Sequence, residues 1–426
     1  THVLPFFFFF FIMKQTIAII GGGAAGCFCA IAVKRLLPHA DVTVYEGGRK
    51  ALAKVAVTGG GRCNLTNSFR QVEHLAAVYP RGEKLMKRLL KGFSAADVCR
   101  WFEREGVRLV TQTDECVFPK SQYAMEIVDT LLSLMRQLGV TLKLGHRVSA
   151  IAHEDECYRL TFSPADNVQQ PTVTADMAVV TTGGSPTMQG LQMLAGLDLE
   201  MVSPVPSLFS VCVADRALTQ LTGTVVEHAT AALPGTKFRG EGPLLITHWG
   251  MSGPAVLKLS SRAARHLHGC GYQHDLCINW CGAMTLPEVE AMIGEMSVAH
   301  GRKQVSTVYP PHLNSRLWQL LVDRSQIRGG QRWAELQKKQ INRLVNTLTA
   351  DVYRMTGKCR FKEEFVTCGG VALSNVNLST LECKQHEGLY FAGEVLDVDA
   401  VTGGFNLQAA WTMGHTVAVA INKKCH

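Results

Sequence analysis

Charge is scarce in this chain. Asp, Glu, Lys and Arg make up 18% of its 426 residues, against the roughly 25% usual in globular proteins. No apolar run approaches the ~20 residues that a membrane helix needs. The homopolymer Phe6 to Phe11 lacks the basic flank and small-residue cleavage site of a signal peptide. We expect residues 1–12 to be a non-native extension ahead of a natural start at Met13, which directly precedes the first strand-like run. Fourteen cysteines are present, but the close pairs Cys27/Cys29 and Cys277/Cys281 have neither zinc-site nor thioredoxin spacing. No metal site is expected, and scattered thiols suit a reducing cytoplasm. Repeats at solenoid periods are missing too. What remains, with 47% hydrophobic residues, is a soluble globular protein long enough for two or three cores.

The stretch from Lys14 to Glu46 organises the rest. Thr16-Ile17-Ala18-Ile19-Ile20 reads as a buried parallel strand. Gly21-Gly22-Gly23-Ala24-Ala25-Gly26 then matches G-x-G-x-x-G. A helix-forming run from Cys27 to Leu36 follows, and the strand Val42 to Tyr45 ends on Glu46, twenty residues after Gly26. Each piece has a task in holding a dinucleotide. Gly21 makes the tight turn, Gly23 lets backbone approach a pyrophosphate, and Gly26 lets helix and strand pack closely. The helix start, with Ala24 and Ala25, offers N–H groups to the phosphates, and Glu46 accepts from ribose hydroxyls. No second unit of this kind occurs, and no C-x4-C pair stands beside the first. That argues against a disulfide reductase with its own nicotinamide domain.

A second glycine-rich loop runs Thr58-Gly59-Gly60-Gly61-Arg62-Cys63-Asn64-Leu65-Thr66-Asn67. It can wrap a charged ligand, with Gly60, Gly61, Arg62 and Asn64 as candidate cofactor contacts and Arg62 as a planar fork for phosphate. Near the C-terminus, Gly388 to Val395 reads as a strand entering the Gly393-Glu394 turn. Thr402-Gly403-Gly404-Phe405-Asn406 and a helix to about Ile421 follow. Together these three segments resemble the BaiN-like/YhiN-like family of FAD-binding proteins, described variously as NAD(P)/FAD-dependent oxidoreductases or aminoacetone oxidase-like. The resemblance covers nearly the whole chain from Met13. It implies FAD as cofactor and NAD(P)H as reductant, with Gly393, Glu394, Gly403, Gly404, Phe405 and Asn406 at the FAD. The helix start there can stabilise reduced flavin at N1/O2. Asp397 and Asp399 are either part of that site or solvated turn residues. Position 400 is Ala where the family leads one to expect glycine.

The expected fold is α/β: a Rossmann-type FAD-binding domain of the two-dinucleotide-binding-fold kind, with an inserted β-rich domain and a small basic helical lobe. Its expected division is 13–190, an insertion at 191–362 that is β-rich to 300 and helical from 301, and 363–426. Helices are expected at 84–91, 95–105 and 125–138, a turn at Phe118-Pro119, and strands at 140–144, 148–153 and 175–181. The last strand runs into Thr182 and Gly183, further cofactor candidates. The insertion should hold strands at 207–213, 224–231 and 244–247, then a helix to Leu259 capped by Ser252. The resemblance implies that Thr247 to Pro254 borders the flavin or substrate cleft. Helices are expected at 313–322 and 333–348.

Gly301 to Lys362 carries thirteen Lys or Arg against three Asp or Glu, an excess of ten beside +8 for the whole chain. Such a lobe either binds a polyanion by releasing its counterions or is a solvated face. Arg328, Arg332, Lys338 and Lys339 are its RNA-binding candidates. An FAD protein does redox chemistry, for which the protein supplies orientation and a proton source. Cys63, Cys368 and His248 are the candidate catalytic groups, each otherwise a structural residue. The resemblance extends to a bacterial ribosomal RNA dihydrouridine synthase, so one reading is reduction of a uridine C5–C6 bond in RNA held by the basic lobe. A small-molecule ene-reductase or oxidase is the second reading. A flavin-bound assembly or sensor protein is the third.

Overall fold

The computed structural model describes residues 15–164, 169–185, 187–359 and 366–426. The expected extension at 1–12, Met13, and the basic residues Arg360 and Lys362 lie outside the described residues.

Five parallel strands form the first sheet, in the order Leu389–Phe391, Met177–Val180, Thr16–Ile20, Asp41–Glu46, Thr141–Leu144. Thr16–Ile20 is central and apolar on both faces, with Ile17, Ile19 and Ile20 buried, as a parallel strand covered on both sides must be. The helix Ala24–Leu36 follows it at once. A Cβ on Gly26 would lie 2.1 Å from Gly21 O, so glycine is what lets this helix sit so close to its strand.

The insertion is a closed barrel of six strands. Its order is Val211–Val213, Gly250–Ser252, Arg239–Thr247, Val225–Ala232, His274–Asn279 and Asp351–Lys358, the last pairing back to the first. Three helices, Leu286–Ala299, Ser315–Arg324 and Lys338–Thr349, share its core, in which Trp280, Trp318 and Trp333 are fully buried. The expected helical lobe is therefore not a separate body. Its last part, Asp351–Lys358, is the strand that closes the barrel, and its helices bury their apolar faces on that barrel.

The antiparallel strands Met201–Ser207 and Val366–Val371 join the two cores. The first core includes Leu191 to Leu197 and resumes at Val371, whereas the second begins at Phe209. The passage between them falls at this strand pair and not at 190, because the 3-10 run Met188–Leu197 buries its apolar residues in the first core. Four smaller expectations are corrected. Cys116–Pro119 is a buried strand and no turn. Strand 207–213 is split at Leu208, whose φ is +55°. The helix at 333–348 starts instead at Lys338, after a short turn Trp333–Glu335. Gly253 and not Ser252 caps the helix Pro254–Arg262, while the Ser252 hydroxyl lies 2.6 Å from that of Ser210. Among the described residues, no helix is long and apolar enough to cross a membrane.

Candidate active site

Two helix N-termini open on one cavity of about 520 Å³. Ala24–Leu36 begins after Gly23 and Phe405–Cys425 after Gly404, and neither start has a side-chain cap. Their first N–H groups are left for a ligand, and the partial positive charge at each start favours an anion. Gly21, Gly23, Ala24 and Ala25 line the cavity, as do Thr182 and Gly183 beyond the strand Met177–Val180. Gly393, Glu394, Gly403, Gly404 and Asn406 line it as well.

The strand Asp41–Glu46 delivers Glu46 to the same wall. Its carboxylate accepts from Gly22 N (2.7 Å) and Gly48 N (2.6 Å), which fixes it with lone pairs to spare for hydroxyls. Glu394 accepts from Thr367 N (2.6 Å) and stands 3.6 Å from Lys54 Nζ. Within the glycine loop, Gly59, Gly60 and Gly61 have φ of +61°, +69° and +80°, a left-handed region that glycine enters without a steric penalty. Gly60 and Asn64 reach the cavity. The Asn64 amide donates to Thr66 O (3.0 Å) and accepts from Gly404 N (3.2 Å). Asn67 Nδ2 donates to Gly403 O (3.1 Å). The early loop and the late glycine turn thus hold each other across more than three hundred residues of sequence.

Several predicted residues do not line the cavity. Gly26 and Gly61 do not. Arg62 is exposed, with its guanidinium over the Phe118 ring at 4.5 Å and its Nε donating to Gly59 O (3.1 Å). The Phe405 ring packs edge-on against Phe69, 5.1 Å between centroids. None of the three catalytic candidates lines it either. Cys63 is fully buried in the first core, and burial pushes its thiol up to about 12. Cys368 is buried beside Val205 and Ala264, where burial pushes its thiol up to about 11 against the pull of Arg81. His248 is exposed at the turn between Arg239–Thr247 and Gly250–Ser252, its ring 4.2 Å from that of Trp249. The insertion meets the cavity through Leu208 and through Leu257 of the helix Pro254–Arg262.

Sequence reasoning missed Lys50, Lys54 and Thr58 on the wall, although Thr58 opens the glycine loop and the two lysines precede it. It also missed Arg81, for which the sequence carries no signal. The Asp399 side chain is fully buried and doubly bonded by the Arg81 guanidinium, one link being Nε to Oδ1 at 2.5 Å. Arg81 Nη1 donates to Ser261 O (2.7 Å), and Ser207 Oγ donates to Asp399 Oδ2 (2.9 Å). Burial lifts the Asp399 carboxyl above its ordinary range although Arg81 pulls it down. Asp399 is thus neither a cavity wall nor a solvated turn residue; it ties the loop leading into Gly403-Gly404 to the insertion. Ala400, one residue on, has no positive φ and needs no glycine. Asp397 faces Arg265 at 3.6 Å.

Buried thiols give a pH prediction. Cys27, Cys29 and Cys63 are each pushed from 9.0 up to about 12 by burial. Their contribution to stability is complete below the unfolded value and is lost as pH rises towards the folded one. Denaturant unfolding should show stability falling between pH 9.0 and about 12. Iodoacetamide at neutral pH should leave Cys63 unmodified in native protein and label it after unfolding, as read by peptide mass.

The family model described as HI0933-like protein Rossmann domain matches residues 15–420. The chain is similar to the ribosomal RNA dihydrouridine synthase of Haemophilus influenzae, 28% identical over 411 residues, covering 94% of this chain and 97% of that one. It is equally similar to the 3-dehydro-bile acid delta(4,6)-reductase of Clostridium scindens, 28% identical over 411 residues, covering 92% and 95%. Among solved structures, the 3-ketosteroid delta1-dehydrogenase of Sterolibacterium denitrificans shares the fold. The TM-score is 0.51 at 12% identity, covering 96% of this chain and 100% of that one.

Proposed function

The chain belongs to the family of HI0933-like Rossmann-domain proteins and is an FAD-dependent oxidoreductase; on that premise we propose that it reduces a uridine C5–C6 bond in ribosomal RNA, with NAD(P)H as reductant. The surface of the insertion carries this reading over a small-molecule reductase. Some cations of the basic segment are tied into the barrel: Arg324 pairs with Asp215 (2.9 Å) and Asp351 (2.7 Å), and Arg354 with Asp275 (3.1 Å). Arg328, Arg332, Lys338 and Lys339 are all exposed, with no ion pair among the described residues. Relatives named for an RNA and for a bile acid are equally similar, so identity does not decide. A metabolite enclosed in the cavity makes no use of cations on the outside of the insertion, whereas an RNA backbone does.

The residues fit FAD. Two uncapped helix starts suit a pyrophosphate and an electron-rich flavin edge, and Glu46 suits ribose hydroxyls. Beside Gly23 there is open space, since a Cβ there would meet nothing within 4 Å. When bound, FAD supplies the hydride chemistry. The N–H groups after Gly23 and Gly404 hold negative charge, while Leu208, Leu257, Val398, Val401 and Met413 of the wall exclude water. Lys54 and Glu394, 3.6 Å apart, are the pair on that wall able to hold and move a proton.

Replacing Arg328, Arg332, Lys338 and Lys339 together with Gln tests the reading. Flavin content should stay unchanged, RNA affinity should fall, and the slope of log K against log salt should flatten by about 3–4. An unchanged slope would leave the small-molecule reading in its place.

A further inference from the structure

Beside the cofactor-facing cavity, the helix Phe405–Cys425 forms a wall of a second cavity on another face. It has a volume of about 240 Å³. His415, Thr416, Val419, Ala420 and Lys423 come from this helix, Arg88, Leu89 and Gly92 from the end of the helix Glu83–Leu89 and beyond, and Ser379 and Thr380 from a loop. No carboxylate lines it. Arg88 and Lys423 make no ion pair among the described residues. The hydroxyls are poised to donate. Ser379 Oγ accepts from Arg88 Nη1 (2.8 Å) and Thr380 Oγ1 from Glu382 N (3.3 Å), which leaves both O–H groups free of those bonds. The His415 ring stacks on Phe93 at 4.2 Å, and burial holds it below the ordinary histidine range, so at neutral pH it is an uncharged partner. Leu89, Val419 and Ala420 make the rest of the wall apolar.

We propose that this cavity binds a small phosphate monoester. The Arg88 guanidinium, Lys423 ammonium and the Ser379 and Thr380 hydroxyls take the phosphate, and the apolar wall takes a short organic part. Two unpaired cations match a dianion, and Arg presents the fork that phosphate prefers. Size bounds the ligand: pockets for drug-sized ligands begin at roughly 300 Å³, so a whole dinucleotide does not fit. Both cations also sit in the last turns of their helices, where carbonyl ends favour positive charge. That alone explains a cation at each end, but not the recess between them, the two donor hydroxyls or the missing carboxylates. Nothing in this site depends on the RNA reading.

The test is thermal unfolding of the FAD-loaded protein, whose helix starts are then occupied. Inorganic phosphate, ribose 5-phosphate and ribose are titrated at an ionic strength held constant with chloride. A saturable rise in unfolding temperature is expected with ribose 5-phosphate, a weaker one with phosphate, and none with ribose. Arg88→Gln with Lys423→Gln should weaken the apparent Kd about a hundredfold, one charged hydrogen bond for each residue, with flavin absorbance unchanged. No gain of ribose 5-phosphate over chloride in the unaltered protein would overturn the proposal, as would an unaltered Kd in the flavin-bearing double variant. Either result would return both cations to the helix ends. The titration of the unaltered protein decides alone if the variant loses its flavin.

Discussion

Gly404→Ala should yield a folded protein that no longer retains FAD through purification. Gly404 has a φ of +87°, and a Cβ there would lie 2.3 Å from Thr66 O and 2.8 Å from the Asn64 side-chain amide. The left-handed backbone alone costs about 1–2 kcal/mol for alanine. The clash is with main chain, which no rotamer change relieves, so the turn must move. With it move the Gly404 N–H to Asn64, the Gly403 carbonyl to Asn67, and the aim of the helix Phe405–Cys425 at the cavity. A displacement costing about 3 kcal/mol in binding is more than a hundredfold in Kd. Gly60→Ala is the control. Its φ is +69° but a Cβ would meet nothing within 4 Å, so strain acts without collision and FAD retention should drop far less. Flavin absorbance per protein, followed through dialysis, measures both.

Arg81→Ala should destabilise the protein by about 3–5 kcal/mol, because it leaves the buried Asp399 charge without its partner. The Asp399 side chain is 0% exposed and that of Arg81 15%, so water does little to screen the loss. Arg81→Lys should recover only part, since an ammonium cannot reproduce the fork that reaches Asp399 and Ser261 O together. Replacing both residues with apolar ones, Arg81→Met with Asp399→Leu, should restore most of the stability. FAD affinity should stay low in that double variant if the pair also sets the path into Gly403-Gly404. Denaturant midpoints and flavin titration separate the two effects. A double variant that binds FAD normally would reduce the pair to a structural contact.

The parts of this molecule legible in its sequence are those where backbone conformation demands a residue type. Gly21, Gly26, Gly59 to Gly61 and Gly403-Gly404 take positive φ or close approach, and all three stretches stand out in the sequence alone. The barrel was visible as short strands between turns, yet its closing strand was read as part of a helical lobe. Asp351–Lys358 has a strictly alternating burial over its first six residues, and Tyr353-Arg354-Met355-Thr356 shows that alternation in sequence, so the signal was present but overlaid by basic charge. The direction of the two candidate cysteines is illegible for a different reason. Lying in a loop beside the cofactor does not tell which way a side chain points; Cys63 turns into the core at a φ of +62°. Arg81 lies more than three hundred residues from Asp399, and a single long-range ion pair leaves no local pattern.

Nucleoside mass spectrometry of ribosomal RNA from cells with and without the gene tests the central claim most directly. Dihydrouridine should vanish from one site in the deletion. The intact gene should restore it, whereas Gly404→Ala and the variant with Arg328, Arg332, Lys338 and Lys339 changed to Gln should not. A nucleoside profile identical with and without the gene would contradict the RNA assignment, and the exposed cations would then be a solvated face of the barrel.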